Sequence, residues 1–416
     1  MLAPSNRLGG MLACRMPLPD ARAGLGAAPR SARPGRDGDA RRAPVLAAVA
    51  TCLLVLVACV APEREVAIVP QPLVTLPSGA WSLVPLGGAA RCADGSAYAA
   101  QVRPGDLDHL VVFFQGGGAT WGEIPGATAL VTPLLGSLYV DRVTPVADAG
   151  LTRAAPSGDV GAATQVVVSY CSGDVHWGDA VGVDGAGEPI LHSGAANVRA
   201  VLDWLDAQSL TPERLDVVGC SAGAYGALMW STNLRDLYPT AARSLLLDAG
   251  LGVVQAPFVE GTVGLASWNA GGAYRDNGFD DLVDDPDIDY FERLVAAAAL
   301  GFGGPIGVAS TDRDLVQAAF WYLTDDDRDT FAGAIDLWSE AAVARLARLD
   351  ALAGVSTYLS DWVRSSAPIA RPAIATGHCF VGDDDLWDPD VGAPFRDWWA
   401  ALRAGAAPPG VDVRDE

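Results

Sequence analysis

The sequence contains no lysine. All 28 of its cationic side chains are arginine, set against 50 acids, for a net charge of −22 over 416 residues. It is also poor in histidine, with four, and in cysteine, with seven. The cation deficit excludes a nucleic-acid partner, because phosphate neutralisation needs a basic face. A polyanionic substrate is disfavoured by the same field. No Cys-x-x-Cys or His-x-x-x-His spacing occurs, so no metal site is expected. What the chain has in abundance is apolar: half of its residues are hydrophobic, and it carries 47 glycines and 12 tryptophans. That is enough for a large packed core and excludes global disorder.

The charge is unevenly spread. Residues 1–58 hold eight arginines and three aspartates, a net of +5, so the remainder stands at −27. Residues 1–42 read as a basic, low-complexity Ala/Gly/Pro/Arg leader that cannot build a core. It is long for an n-region, with Met11 and Met16 as alternative starts. Arg41 and Arg42 then precede an uncharged apolar run, residues 43–58, the pattern of a secretory signal. The run closes on Leu56-Val57-Ala58-Cys59, similar to a bacterial lipobox, which makes Cys59 the expected lipidation site. The alternative is an uncleaved anchor helix, since about 20 apolar residues span a bilayer. Either way the chain is expected to be exported and membrane-tethered. Export permits disulfides among Cys92, Cys171, Cys220 and Cys379, but four cysteines allow three pairings and the spacing does not choose.

After a linker, residues 59–80, short apolar runs alternate with helical segments. Strands are predicted at 109–115, 165–170, 215–219 and 244–248, each apolar on both faces and ending in a turn residue. Helices are predicted at 195–208, from Ser221 onward, and at 290–300, 314–323 and 327–352. Residues 277–289 read as an acidic loop, and the runs 281–289 and 325–329 as solvated surface. The alternation argues for a mostly parallel sheet covered on both faces. Length alone allows two or three domains, but nothing forces a second, so residues 81–408 are read as one α/β domain.

The chemistry gathers where strands end. Gly219-Cys220-Ser221-Ala222-Gly223 closes one predicted strand and opens a helix, the context in which Gly-x-Ser-x-Gly presents a nucleophilic serine on a sharp turn. The helix N-terminus that follows favours developing negative charge. Gly116-Gly117-Gly118 directly follows the 109–115 strand, where a glycine run can turn N–H groups toward an oxyanion. The expected donors are Gly118, Ala119 and Ala222. In the α/β-hydrolase order the acid and then the histidine follow the serine, and of the four histidines only His378 does so. His109, at the start of a strand, and His192, at an expected helix start, are read as structural.

These pieces resemble the pectinacetylesterase family, which also includes animal carboxylesterases that remove a fatty acyl group from Wnt proteins. The resemblance rests on CADGS (92–96), VVFFQGGGATW (111–121), SYCSGDVHWGD (169–179), GCSAGAYG (219–226), LDAG (247–250) and GHC (377–379). It implies an α/β-hydrolase-like fold and cofactor-free hydrolysis of carboxylic esters, acetyl esters first, by a Ser–His–Asp triad. Family members carry Asp-x-x-Gln at a helix start between the serine and the histidine. Asp314 and Gln317 match it, with Asp312 the rival acid, while Asp248 is read as structural. The segment 171–179 is expected to line the site, with Trp121, His176 and Trp177 shaping the substrate pocket and Asp174 bracing the oxyanion loop. Core packing or a hydrogen-bonded turn is the plainer role for each. The family's Trp-Cys pair after the glycine loop is missing here, which leaves Cys171 or Cys92 needing a different partner. The strong acidity makes a neutral ester the expected substrate rather than pectin. A tethered binding protein on a hydrolase scaffold, and a serine thioesterase or peptidase, are the alternatives.

Overall fold

The computed structural model describes residues 68–121, 137–153, 159–183, 187–259, 267–284, 289–324, 331–363 and 376–414. The leader, the apolar run, Cys59 and most of the linker lie outside these. Among the described residues no helix is long and apolar enough to cross a membrane.

The described residues form eleven strands in chain order: β1 (Ser82–Pro85), β2 (Ala99–Arg103), β3 (Asp106–Phe114), β4 (Ala163–Val168), β5 (Ala180–Val183), β6 (Pro189–His192), β7 (Arg214–Cys220), β8 (Ala242–Asp248), β9 (Ile306–Thr311), β10 (Val355–Ser360) and β11 (Val411–Asp412). β5 and β6 make a separate hairpin, and the other nine form one sheet in the order β1-β2-β4-β3-β7-β8-β9-β10-β11. Along that order β4, β3, β7, β8, β9, β10 and β11 run parallel, while at one edge β2 pairs antiparallel with both β4 and β1. This is the α/β-hydrolase sheet, and the four strands expected from sequence are β3, β4, β7 and β8.

Period-two alternation explains why both faces need cover. From β3, Leu110, Val112 and Phe114 enter one apolar core, while Val111 and Phe113 enter another on the opposite face. On the first face lie α1 (Gly194–Ala207), α2 (Ala222–Leu237), α3 (Tyr290–Gly301), α4 (Leu315–Leu323) and α5 (Phe331–Asp350). Helix α1 shows the cause: Val198, Val201 and Leu205 recur at helical spacing and are buried. On the second face α6 (Ala393–Arg403) presents Phe395, Trp398, Trp399 and Leu402, one stripe at i, i+3, i+4 and i+7.

Two readings are corrected. The acidic 277–289 segment is not all loop, because Asp280–Asp284 forms a short helix. Its first-turn Asp280 and Asp281 suit the positive end of the helix dipole. His192 does not open a helix; it ends β6, and Ser193 caps α1.

The end of the sheet opposite Ser221 is locked by a buried carboxylate. Asp216 accepts bonds from His109 Nε2 (2.9 Å), Ser244 Oγ (2.7 Å), Arg214 Nη2 (2.8 Å) and Arg403 Nε (2.8 Å). Burial alone would push this carboxyl up, but the His109 bond and the two guanidinium charges hold it well below the usual range. His109 is therefore part of the framework.

Candidate active site

Strand β7 ends at Cys220 and α2 starts at Ala222, so Ser221 alone makes the turn between them. Its backbone sits at φ 56°, ψ −126°, a left-handed setting that an L side chain adopts only when its surroundings hold it there. Two bonds do so: Ser221 N–H donates to the Asp248 carbonyl (2.8 Å), and Ala224 N–H donates to the Ser221 carbonyl (2.9 Å). A Cβ at Gly223 would land on the Phe114 carbonyl. The motif's last glycine is thus required by the close approach of β3 to the helix start.

His378 lies across from this turn and lines the same cleft as Ser221. Its Nδ1 stands 2.7 Å from Asp314 Oδ2. A carboxylate can only accept, so Nδ1 carries the proton and Nε2 is left with its lone pair. Asp314 caps α4 and is fully buried. Its Oδ1 accepts the N–H groups of Val316 (2.9 Å) and Gln317 (3.0 Å), and its Oδ2 accepts Gln317 Nε2 (2.9 Å) as well as His378. All four acceptor directions of the carboxylate are used, which fixes its plane. Asp312 makes no hydrogen bond to the histidine; burial raises its carboxyl pKa, and among the described residues its Oδ1 finds no hydrogen-bond partner.

Gln317, used in the sequence only as a marker for Asp314, links three pieces. Besides its bond to Asp314, its Nε2 donates to Ser310 Oγ (3.0 Å) and its Oε1 accepts Leu251 N–H (3.1 Å). The histidine turn is laced to the end of β9 through Thr311 and Thr376, with Thr311 Oγ1 donating to the Gly377 carbonyl (2.6 Å). The four cysteines expected in the mature chain pair as Cys92–Cys171 and Cys220–Cys379. The first pair answers the missing family partner: the two left-over cysteines bond each other. The second ties the residue before Ser221 to the residue after His378.

The glycine loop is only partly as expected. Gly118 (φ 78°) faces the cleft, and a Cβ there would strike the Leu138 carbonyl. It bridges Tyr139 through its neighbours, with Val140 N–H donating to the Gly117 carbonyl (2.9 Å) and Ala119 N–H to the Leu138 carbonyl (3.2 Å). Ala119 is therefore corrected as an oxyanion donor, since its N–H is already engaged. Gly118 takes no part in those two bonds, and the N–H of Ala222, at the first position of α2, has no helical acceptor.

Of the four expected pocket residues, Trp121 and Trp177 line the cleft and Asp174 and His176 do not. Asp174 is wholly buried and accepts from Ser172 Oγ (2.6 Å), His176 N–H (3.1 Å) and Gly194 N–H (2.8 Å). It anchors its own loop to the start of α1. The glycine loop is braced instead by the Tyr170 hydroxyl, which donates to the Gly118 carbonyl (2.8 Å), and by backbone, Thr120 N–H to the Gly173 carbonyl (2.9 Å). Burial lowers the His176 imidazole to about 4, so it is neutral, and Nε2 donates to the Gln115 carbonyl (2.9 Å). Both residues work behind the wall.

Sequence reasoning missed most of that wall. Tyr225, Phe258, Trp268, Tyr290 and Phe320 join Trp121 and Trp177 around an apolar cleft of about 660 Å³, open mouth included. Trp121 packs edge-on against Phe258, ring centres 4.7 Å apart. A wider cleft of about 1100 Å³ lies on the other side, between the glycine loop, Ser137–Val140 and Thr152. The two share Gly118, Ser221 and His378. Among the described residues, no three His, Cys, Asp or Glu side chains gather as a metal site would require.

The family model that matches this chain is pectinacetylesterase, over residues 83–262. No protein of curated function matches it. Among solved structures, two crystal forms of the Wnt deacylase Notum from Drosophila share its fold, each at 16% identity. One covers 79% of this chain and 94% of Notum with a TM-score of 0.49, the other 80% and 97% with 0.50. His378 and Asp314 lie beyond the matched segment. The matched segment, residues 83–262, carries the glycine loop, the Cys171 loop and the serine turn, the stretch in which most of the family-like motifs lie.

Proposed function

We propose that the chain is an exported serine carboxylesterase. The observation that carries this reading is one cleft lined by Ser221, His378 and Gly118, with His378 bonded to a saturated, buried Asp314. In the proposed reaction His378 Nε2 takes the Ser221 hydroxyl proton as Oγ attacks the ester carbonyl carbon. The N–H groups of Gly118 and Ala222 stabilise the oxyanion. The ester C–O bond then breaks, and the leaving alcohol takes the proton from His378. Water, deprotonated by the same imidazole, then attacks the acyl carbon; the bond to Oγ breaks, the acid leaves, and His378 returns the proton to Ser221. Asp314 keeps the imidazole in the required tautomer and stabilises its cationic form.

The apolar cleft fits the acyl side, and the wider cleft beyond the glycine loop fits the alcohol. The apolar side has room for more than the acetyl group that the family name suggests. Each methylene buried there is worth about 0.8 kcal/mol, so kcat/KM should rise about three- to fourfold per added methylene from acetate through hexanoate. Initial rates of the purified chain on p-nitrophenyl esters of graded length, with an anilide control, check this. A preference for acetate of tenfold or more would contradict the acyl-length reading, and inactivity on every ester would contradict the esterase itself.

Export and a lipid on Cys59 are part of the proposal. The lipobox-like Leu56–Cys59 pattern supports them, as do the two disulfides, which suit an oxidising compartment.

A further inference from the structure

Asp248, the last residue of β8, pairs with Cys220 in the sheet ladder, one residue before the serine. It touches both halves of the site with different atoms. Its main-chain carbonyl accepts the Ser221 N–H (2.8 Å). Its side chain is fully buried, and Oδ2 accepts the N–H of Val381 (2.8 Å), three residues past His378. The carbonyl also lies 4.0 Å from Sγ of Cys379, which the disulfide joins back to Cys220. The other side-chain oxygen, Oδ1, is buried without a hydrogen-bond partner among the described residues.

A framework residue here would need only to accept one N–H, which a neutral amide does as well. A buried carboxyl with an unsatisfied oxygen, in the field of a second buried carboxylate, Asp314, is a costly choice for that task. Local rules of this kind are broken most often at functional sites. We propose that Asp248 is a positioning residue of the esterase, setting the His378 turn against Ser221 and adjusting the charge that the imidazole experiences.

Titration is consistent with this geometry. Burial pushes the Asp248 carboxyl up to about 7, opposed by the Val381 N–H and by His378, and reinforced by Asp314. The charged groups that act on it are His378 and Asp314; the Val381 N–H bonds Oδ2, and the Phe380 N–H stands near the carboxyl outside hydrogen-bonding geometry. As the pH rises through neutrality Asp248 becomes an anion, and an anion there favours the imidazolium that forms during acylation. Removing that charge should weaken this preference and move the acid limb of the rate profile to lower pH.

The proposal rests on the serine-esterase reading, and the test separates the two. With the full chain and p-nitrophenyl butyrate, Asp248→Ala should lower kcat about 10- to 100-fold per active site while KM stays within about twofold. Asp248→Asn should recover most of kcat, because its amide oxygen can still accept the Val381 N–H. Its acid limb of kcat/KM should nonetheless move to lower pH by about half a unit. If Asp248→Ala keeps kcat within twofold, or Asp248→Asn superimposes on the wild-type pH profile, the positioning role is overturned. Those outcomes leave the esterase reading intact when wild type is active and Ser221→Ala is not. A wild-type chain that fails to hydrolyse the ester overturns both.

Discussion

Ser221→Ala should reduce kcat by about 10⁴- to 10⁶-fold, the range seen when a triad nucleophile is removed, with little change in stability. The reason for the large effect is local. Cys220 is held by a disulfide and Gly223 by the close approach of β3, so no neighbouring hydroxyl can take the serine's place above the sheet. The reason for the small structural effect is that the turn is fixed by backbone. The N–H of residue 221 bonds the Asp248 carbonyl, its own carbonyl bonds Ala224 N–H, and neither uses the hydroxyl. Stopped rates on p-nitrophenyl butyrate, together with a thermal melt, check both halves. A variant that melts with wild type and keeps more than about a hundredth of its rate would place the nucleophile elsewhere.

Asp314→Asn should lower kcat by about 10³- to 10⁴-fold, out of proportion to the loss of one charge. Every donor that surrounds Asp314 is an N–H: two from the backbone of α4, one from Gln317 and one from His378. An amide presents an NH₂ to at least one of them. If it faces His378, the imidazole must carry its proton on Nε2 and can no longer take one from serine, the tautomer failure that costs serine proteases about 10⁴ in kcat. If it faces α4, the helix cap is lost, at about 0.5–2 kcal/mol. Measuring kcat beside a denaturant melt tells the two apart. Asp312→Asn is the comparison, and it should leave kcat within about twofold. A larger loss from Asp312→Asn than from Asp314→Asn would reverse the assignment of the acid.

The serine turn, the position of the glycine loop and four of the parallel strands were legible because each obeys a local rule. A strand buried on both faces is a short apolar run, and a sharp strand-to-helix turn needs glycine where Gly223 meets Phe114. Asp314 was legible through Gln317, though the cause, a capped helix whose Gln reaches back to the carboxylate, became visible only with side chains in place. The acyl-side wall was not legible. Phe258, Trp268, Tyr290 and Phe320 come from four separate segments after the serine, and single aromatics read the same in a core as in a cleft. His176 and Asp174 were misread for a related reason. A polar pair in a loop has the composition of a site, while its burial and its bonds to the Gln115 carbonyl and the Gly194 N–H are long-range facts. Ala119 fails as a donor because of Leu138, nineteen residues on, which no spacing rule anticipates.

The account turns on whether Ser221 is a nucleophile. Incubating the native chain with a fluorophosphonate and mapping the adduct by peptide mass spectrometry tests this directly. The expected result is one adduct per chain on Ser221, formed in step with loss of ester hydrolysis and absent from Ser221→Ala. An unlabelled native chain, or one labelled elsewhere while Ser221 stays free, would contradict it.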